Sequence, residues 1–185
     1  MNRSGLVLSA ALMAGLAACA IATPPPSVAI MPPGALGTNG DIDTRSLDVA
    51  AYDFAHHMQN DPARAADAVA ALDYMGGQLN VSPRWMTMMP ALFRLQMLQS
   101  RESLRQYVGI NAAAPSQTVV DTMLALAQAY RAGDQAGVMR LLATPIFTVP
   151  PAEVQSRLSD IPVMPTVNNA TTHADQYSSG FGFYP

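Results

Sequence analysis

The sequence predicts an all-α fold, a single small bundle of about five to six helices built from antiparallel helical hairpins. Three observations carry this. Apolar residues recur with the 3.6-residue period of a helix face through the middle of the chain. Two polar-residue-plus-proline pairs, Asp61-Pro62 and Ser82-Pro83, mark helix starts, and glycines at 76, 77, 109 and 133 mark stops. The stretch so punctuated, residues 43–161, is long enough for one hydrophobic core, and 185 residues leave no room for two.

Taken in order, the chain opens on Met1-Asn2-Arg3, a short basic start, followed by an uncharged run from Leu6 to Leu16. Eleven helical residues span about 16 Å, roughly half a bilayer's hydrocarbon core, so the run reads as a signal-peptide core and not as a membrane span. Leu16-Ala17-Ala18-Cys19 comes next, and these four residues resemble the lipobox of bacterial lipoproteins. The resemblance covers about the first twenty residues. It implies cleavage of a signal peptide, 1–18, and acylation of Cys19, which would tie the mature chain to a membrane. Cys19 is the only cysteine, so no disulfide partner competes for it. Ordinary signal-peptidase cleavage after Ala20 or Ala22 is the alternative, since small residues stand at the required spacing there too. Ala20, where an Asp would mark retention, resembles an outer-membrane sorting signal, so the expected location is the periplasmic side of the envelope, outer membrane before inner.

Residues 19–42 form the lipidated start and a Pro-rich tether. Thr23 to Gly40 holds five prolines, three glycines and no charge, and extended polyproline geometry would reach roughly 55 Å. The helical domain, 43–161, then begins at Asp43 or Thr44 as cap. Its first helix carries Leu47, Ala51, Phe54, Ala55 and Met58 on one face and ends at Asn60-Asp61-Pro62. The second buries Ala65, Ala68, Val69, Leu72 and Met75 and stops at Gly76-Gly77. From Ser82-Pro83 the chain is apolar nearly all round, with Trp85, Met86, Met88, Met89, Leu92, Phe93, Leu95, Met97 and Leu98, which predicts the central buried helix, interrupted at Pro90 and ending at Gly109. Ser116 is expected to cap a helix with Val119, Met123, Leu126 and Tyr130 inward. Gly133-Asp134 turns into a short helix ending near Leu142, and Pro151 to Leu158 is the last helix expected. Residues 162–185, polar and broken by Pro162 and Pro165, are expected to be an irregular or disordered tail.

Two of these helix pairs, across Asp61 and across Gly133-Asp134, resemble the hairpins of tetratricopeptide-type repeats, and Leu126-Ala127-x-x-Tyr130 is similar to that family's first helix. The resemblance covers about 45 residues, and no 34-residue period connects the pairs. It implies helical hairpins and nothing about a binding groove.

Composition narrows the function. All ten basic residues are Arg, against eleven Asp and two Glu, for a net charge of -3. Lys-dependent phosphate loops and Schiff-base chemistry are therefore excluded, and no basic patch exists to neutralise several phosphates, which argues against nucleic acid as a partner. Neither a Gly-x-Ser-x-Gly nor a His-Glu-x-x-His motif occurs, and the two glutamates, Glu102 and Glu153, lie in different segments, so no enzyme and no cofactor is expected.

Two constellations could hold metal. His56 and His57 follow Asp53 at helical spacing, but they lie about 155° and about 105° from the apolar stripe, so both should face solvent, with only His173 as a third imidazole. Met86, Met88 and Met89 could offer thioethers to Cu(I), yet on a helix Met86 and Met88 point about 160° apart. The expected function is thus a membrane-anchored, non-catalytic accessory or assembly subunit that binds another envelope protein. A small-ligand or copper carrier using the Met-rich centre or the His pair is the alternative. Mass spectrometry of the mature amino-terminal peptide should find an acylated Cys19. An unmodified start at Ile21 or Thr23 would remove the anchor.

Overall fold

A computed structural model describes residues 26–38 and 40–180. The fold is all-α, with eight helices and one two-stranded ribbon among the described residues. Helix α1 (Ile42–Phe54) starts two or three residues earlier than expected, because Asp41 is the cap: its carboxylate accepts from the Thr44 amide and hydroxyl. Asp43 is buried instead, accepting from the Tyr74 hydroxyl and from Trp85 Nε1 at 2.7 Å. Helix α1 also ends sooner. Met58 leaves the helix for strand β1 (Met58–Gln59), which pairs antiparallel with β2 (Asp160–Ile161), Met58 facing Ile161.

Helix α2 (Pro62–Val81) is the centre of the bundle, touching α1, α3 (Pro83–Met88), α4 (Ala91–Val108), α5 (Ser116–Arg131) and α7 (Pro151–Ser159). Asp61 caps it and Pro62 opens it, as the spacing predicts. Its alanines at 65, 66, 68, 70 and 71 are all buried, and such small side chains let neighbours approach on every side. The helix does not stop at Gly76-Gly77. A Cβ at Gly76 would stand 3.0 Å from Arg101 Cβ, and one at Gly77 would overlap the Ser27 carbonyl oxygen. These glycines serve close packing rather than termination.

Pro90 splits the segment after Ser82 into α3 and α4, as expected, but that segment is not the buried core. Trp85, Met89 and Met97 are buried, whereas Met86, Met88, Leu92 and Leu95 are exposed. Ser116 is not a cap either. Its hydroxyl accepts from Arg105 and Arg101, while Pro115 occupies the cap position of α5. Helix α6 (Gln135–Leu142) begins at its Asp134 cap, and α7 follows the Pro150-Pro151 pair.

Two expectations about the ends are corrected. Pro165–Ser178 is a helix, α8, packed on α1 and α4, with Val167, Ala170, Thr171 and Ala174 forming a buried i, i+3, i+4, i+7 stripe. Its polar composition hid that stripe, since small residues suffice where two helices lie close. The segment expected to be a plain tether is laid on the domain from Ser27 onward. Ala29, Met31 and Leu36 are buried, and Ile30 exchanges hydrogen bonds with the Gln117 side chain.

A buried ion pair ties these parts together. Arg105 donates through Nε and Nη2 to Asp73 at 2.6 and 2.8 Å, with side chains only 5% and 1% exposed. Its remaining donors reach the Ala112 and Ala114 carbonyls and the Ser116 hydroxyl. Asp73→Ala leaves the guanidinium buried without its counter-charge and should cost about 3–5 kcal/mol in urea unfolding, whereas Asp73→Leu with Arg105→Met should recover most of it. A cost below about 1 kcal/mol for Asp73→Ala, the range of exposed pairs, would contradict this role.

Candidate functional site

A charged cleft of about 630 Å³ opens between the turn at residues 35–37, the outer face of α1, the first turns of α2 and the end of α5. Helical spacing builds it: Arg45, Asp48 and Tyr52 recur on α1, Arg64 and Asp67 stand three apart on α2, and Arg131 is the last residue of α5. Arg64 Nε donates to Asp53 at 2.6 Å and Arg131 pairs with Asp67. Arg45 Nε donates to the Leu36 carbonyl at 2.9 Å and has no carboxylate within ion-pair reach. At the mouth, Tyr52 is 64% exposed, with the Arg64 guanidinium 5.2 Å from its ring centre and the His56 ring tilted against it, 4.7 Å between centres.

The walls are partly dry. Burial pushes the Asp53 carboxyl above the usual range, and Arg64 only partly offsets this; burial acts on Asp67 in the same way, against Arg131. Arg64 Nη2 and Asp67 Oδ1 are buried without a hydrogen-bond partner. Opposed charges therefore alternate along the cleft with hydrogen-bonding capacity left over. Such a surface suits polar recognition better than proton transfer, because each carboxylate of the two ion pairs is already engaged by a guanidinium.

Beside the cleft, Asp48 of α1 meets Asp175 of α8. Burial, then the hydrogen bond to Asp48 and its charge, push the Asp175 carboxyl up to about 6. No cation offsets the pair: Arg45 is turned to Leu36, Arg94 of α4 donates to the Met89 carbonyl, and His173 rests against Phe93. Burial and the neighbouring carboxylate together favour the protonated form of Asp175, whose Oδ1 is buried without a hydrogen-bond partner. Sequence reasoning missed this pair because nothing local marks residues 127 positions apart as neighbours.

The sequence-derived candidates fall elsewhere. Cys19 and the lipobox residues Leu16, Ala17 and Ala18 lie outside the described residues. His56 and His57 are exposed, but Asp53 does not orient them. His56 Nδ1 lies 2.6 Å from the Tyr52 carbonyl and His57 Nε2 lies 2.6 Å from Asp160 Oδ1. His173 packs on Phe93, 5.1 Å between ring centres, rather than joining them. Met89 is buried while Met86 and Met88 are exposed, so the three thioethers share no face. Among the described residues, no group of three His, Cys, Asp or Glu side chains is placed to hold a metal ion. Arg101 and Arg105 offer no contact surface, since both are buried beside Asp73 and Ser116. No described helix is long and apolar enough to cross a membrane. No family model, curated protein or solved structure matches the chain.

The carboxyl pair has a signed consequence. The folded state holds the Asp175 proton more tightly than the unfolded chain, whose value is near the usual 3.8. Its stabilising contribution is thus complete below that value and lost as pH rises through about 6. Asp175→Asn should flatten this part of the melting profile and raise the melting temperature above wild type at neutral pH. An unchanged slope across the same window would contradict the pairing.

Proposed function

We propose that the chain is a lipid-anchored, non-catalytic accessory or assembly subunit on the periplasmic side of the bacterial envelope, tied to the membrane through Cys19. It binds another envelope protein through the charged cleft. The anchor rests on Leu16-Ala17-Ala18-Cys19 following an uncharged run of signal-peptide length. Ala20 favours the outer membrane.

The observation that carries the partner is the mouth of the cleft. Tyr52 stands mostly exposed against Arg64, and Tyr and Arg are the residue types that dominate binding energy at protein interfaces. Arg45 adds a charge with no carboxylate of its own, and the Arg131–Asp67 pair forms the far wall. A partner presenting both signs of charge and an apolar ring would match this mouth.

Affinity purification from envelopes, with the Cys19 anchor intact, should recover a stoichiometric protein partner. Tyr52→Ala should weaken that association roughly tenfold or more while leaving the melting temperature within about 2 °C of wild type, because the ring is at the surface. A monomer that carries metal or a small molecule and no protein would favour the carrier reading and overturn this one.

A further inference from the structure

The amino-terminal segment is fastened to the domain much closer to Cys19 than a free tether would be. The Ser27 carbonyl accepts from Arg101 Nη1 at 2.8 Å and from the Ser116 hydroxyl at 3.2 Å, and the Ser27 hydroxyl accepts from the Ser116 amide at 2.9 Å. Seven residues, 20–26, then separate Cys19 from the clip. Fully extended, the eight steps from Cys19 to Ser27 reach at most about 29 Å. A domain of this size is on the order of 40 Å across, so a leash this short keeps it against the surface that holds the anchor.

Ser27 also lies on a particular side of the molecule. It rests over Gly77 in the carboxy-terminal half of α2, where α4 crosses. Asn80 Nδ2, donating to the Arg94 carbonyl at 3.0 Å, places the first turns of α4 beyond that crossing. There, beside Arg84 and Thr87, four large apolar side chains are exposed: Leu92 is 61% exposed, Met86 51%, Leu95 47% and Met88 38%. Next to the clip, Val28 and Ile30 turn outward while Ala29 and Met31 turn in. From Pro83 to Ser100 the only charged residues are Arg84, which pairs with Asp41 at 2.6 Å, and Arg94, which has no carboxylate within ion-pair reach among the described residues. Exposed apolar side chains with no carboxylate among them and one unpaired arginine suit an anionic lipid surface.

We propose that the exposed face of α3 and the first turns of α4 lies on the anionic bilayer that holds acylated Cys19. The proposal rests on the anchor assigned above and adds to it an orientation. The charged cleft is built on Arg64 and Asp67, sixteen and thirteen residues or about 24 and 20 Å along α2 from Asn80, and is turned away from the membrane toward a partner.

The test uses the full acylated chain in vesicles of phosphatidylethanolamine and phosphatidylglycerol. Acylation consumes the only native thiol, so Leu92→Cys offers a unique site for a nitroxide, and Arg140→Cys, on the exposed side of α6, is the control. The label at 92 should be more accessible to oxygen than to a water-soluble nickel chelate, and the control the reverse. Adding Leu95→Glu, at another exposed position, should return the label at 92 to the control's behaviour. An acylated, vesicle-bound chain whose label at 92 behaves like the control overturns the docking and leaves the anchor standing. A label shielded in native envelopes but not in vesicles assigns the face to a protein and likewise overturns it. A mature chain recovered from envelopes without an acyl group on Cys19 overturns both.

Discussion

The Asp73–Arg105 ion pair is the constraint on which the other parts of this bundle depend. It joins α2, the central helix, to α4 through a fork with both partners almost fully buried. Five guanidinium donors cannot all be satisfied by one carboxylate. The remainder draw in the Ala112 and Ala114 carbonyls and the Ser116 hydroxyl, which fixes the loop between α4 and α5. Ser116 and Arg101 in turn hold Ser27. Burial lowers the Arg101 pKa and leaves its Nε without a partner, so the clip forms at some cost in solvation. A buried pair of this kind contributes geometry more reliably than net stability.

That geometry gives the molecule two ends. At the carboxy-terminal end of α2 are the clip at Ser27 and the exposed leucines and methionines of α3 and α4. At its amino-terminal end is the cleft, where Arg and Asp alternate around Tyr52. The Asp48–Asp175 pair stands beside that cleft where α8 meets α1, and burial there with Asp48 alongside raises the Asp175 pKa. The two ends have different chemistry because α2, lined with alanine, is covered along its length and leaves only its surroundings to differ.

Local signals in the sequence were sufficient for most helix boundaries. Asp61-Pro62, Pro83, Pro90, Gly109 and Pro151 act within one turn of chain, and the structure puts boundaries at each. What depended on distant neighbours was misread. Gly76-Gly77 resembles a stop until Ser27 and Arg101 are seen pressing on it. The stripe of Val167, Ala170, Thr171 and Ala174 is too small and polar to stand out without α1 and α4 beside it. The apolar run after Pro83 suggested a core helix, but alanine-rich α2 took that position, because small side chains admit more neighbours than large ones. Of the cleft, Arg64 and Asp67 were visible as polar residues; their convergence with Arg45, Tyr52 and Arg131 was not. Arg101 and Arg105 looked equally like surface residues, since nothing local distinguishes an arginine that will find a buried carboxylate.

Hydrogen exchange of the backbone amides of Ile30 and Ser116 in the intact protein tests the central claim most directly. Both amides donate to side chains across the clip, to Gln117 and to Ser27. If the Asp73–Arg105 network holds the amino-terminal segment on the domain, both will exchange far more slowly than in an unstructured peptide, and Asp73→Ala will release them together. Exchange of the Ile30 amide at the unstructured rate in the wild-type protein would contradict the account, leaving a free tether in place of a clipped one.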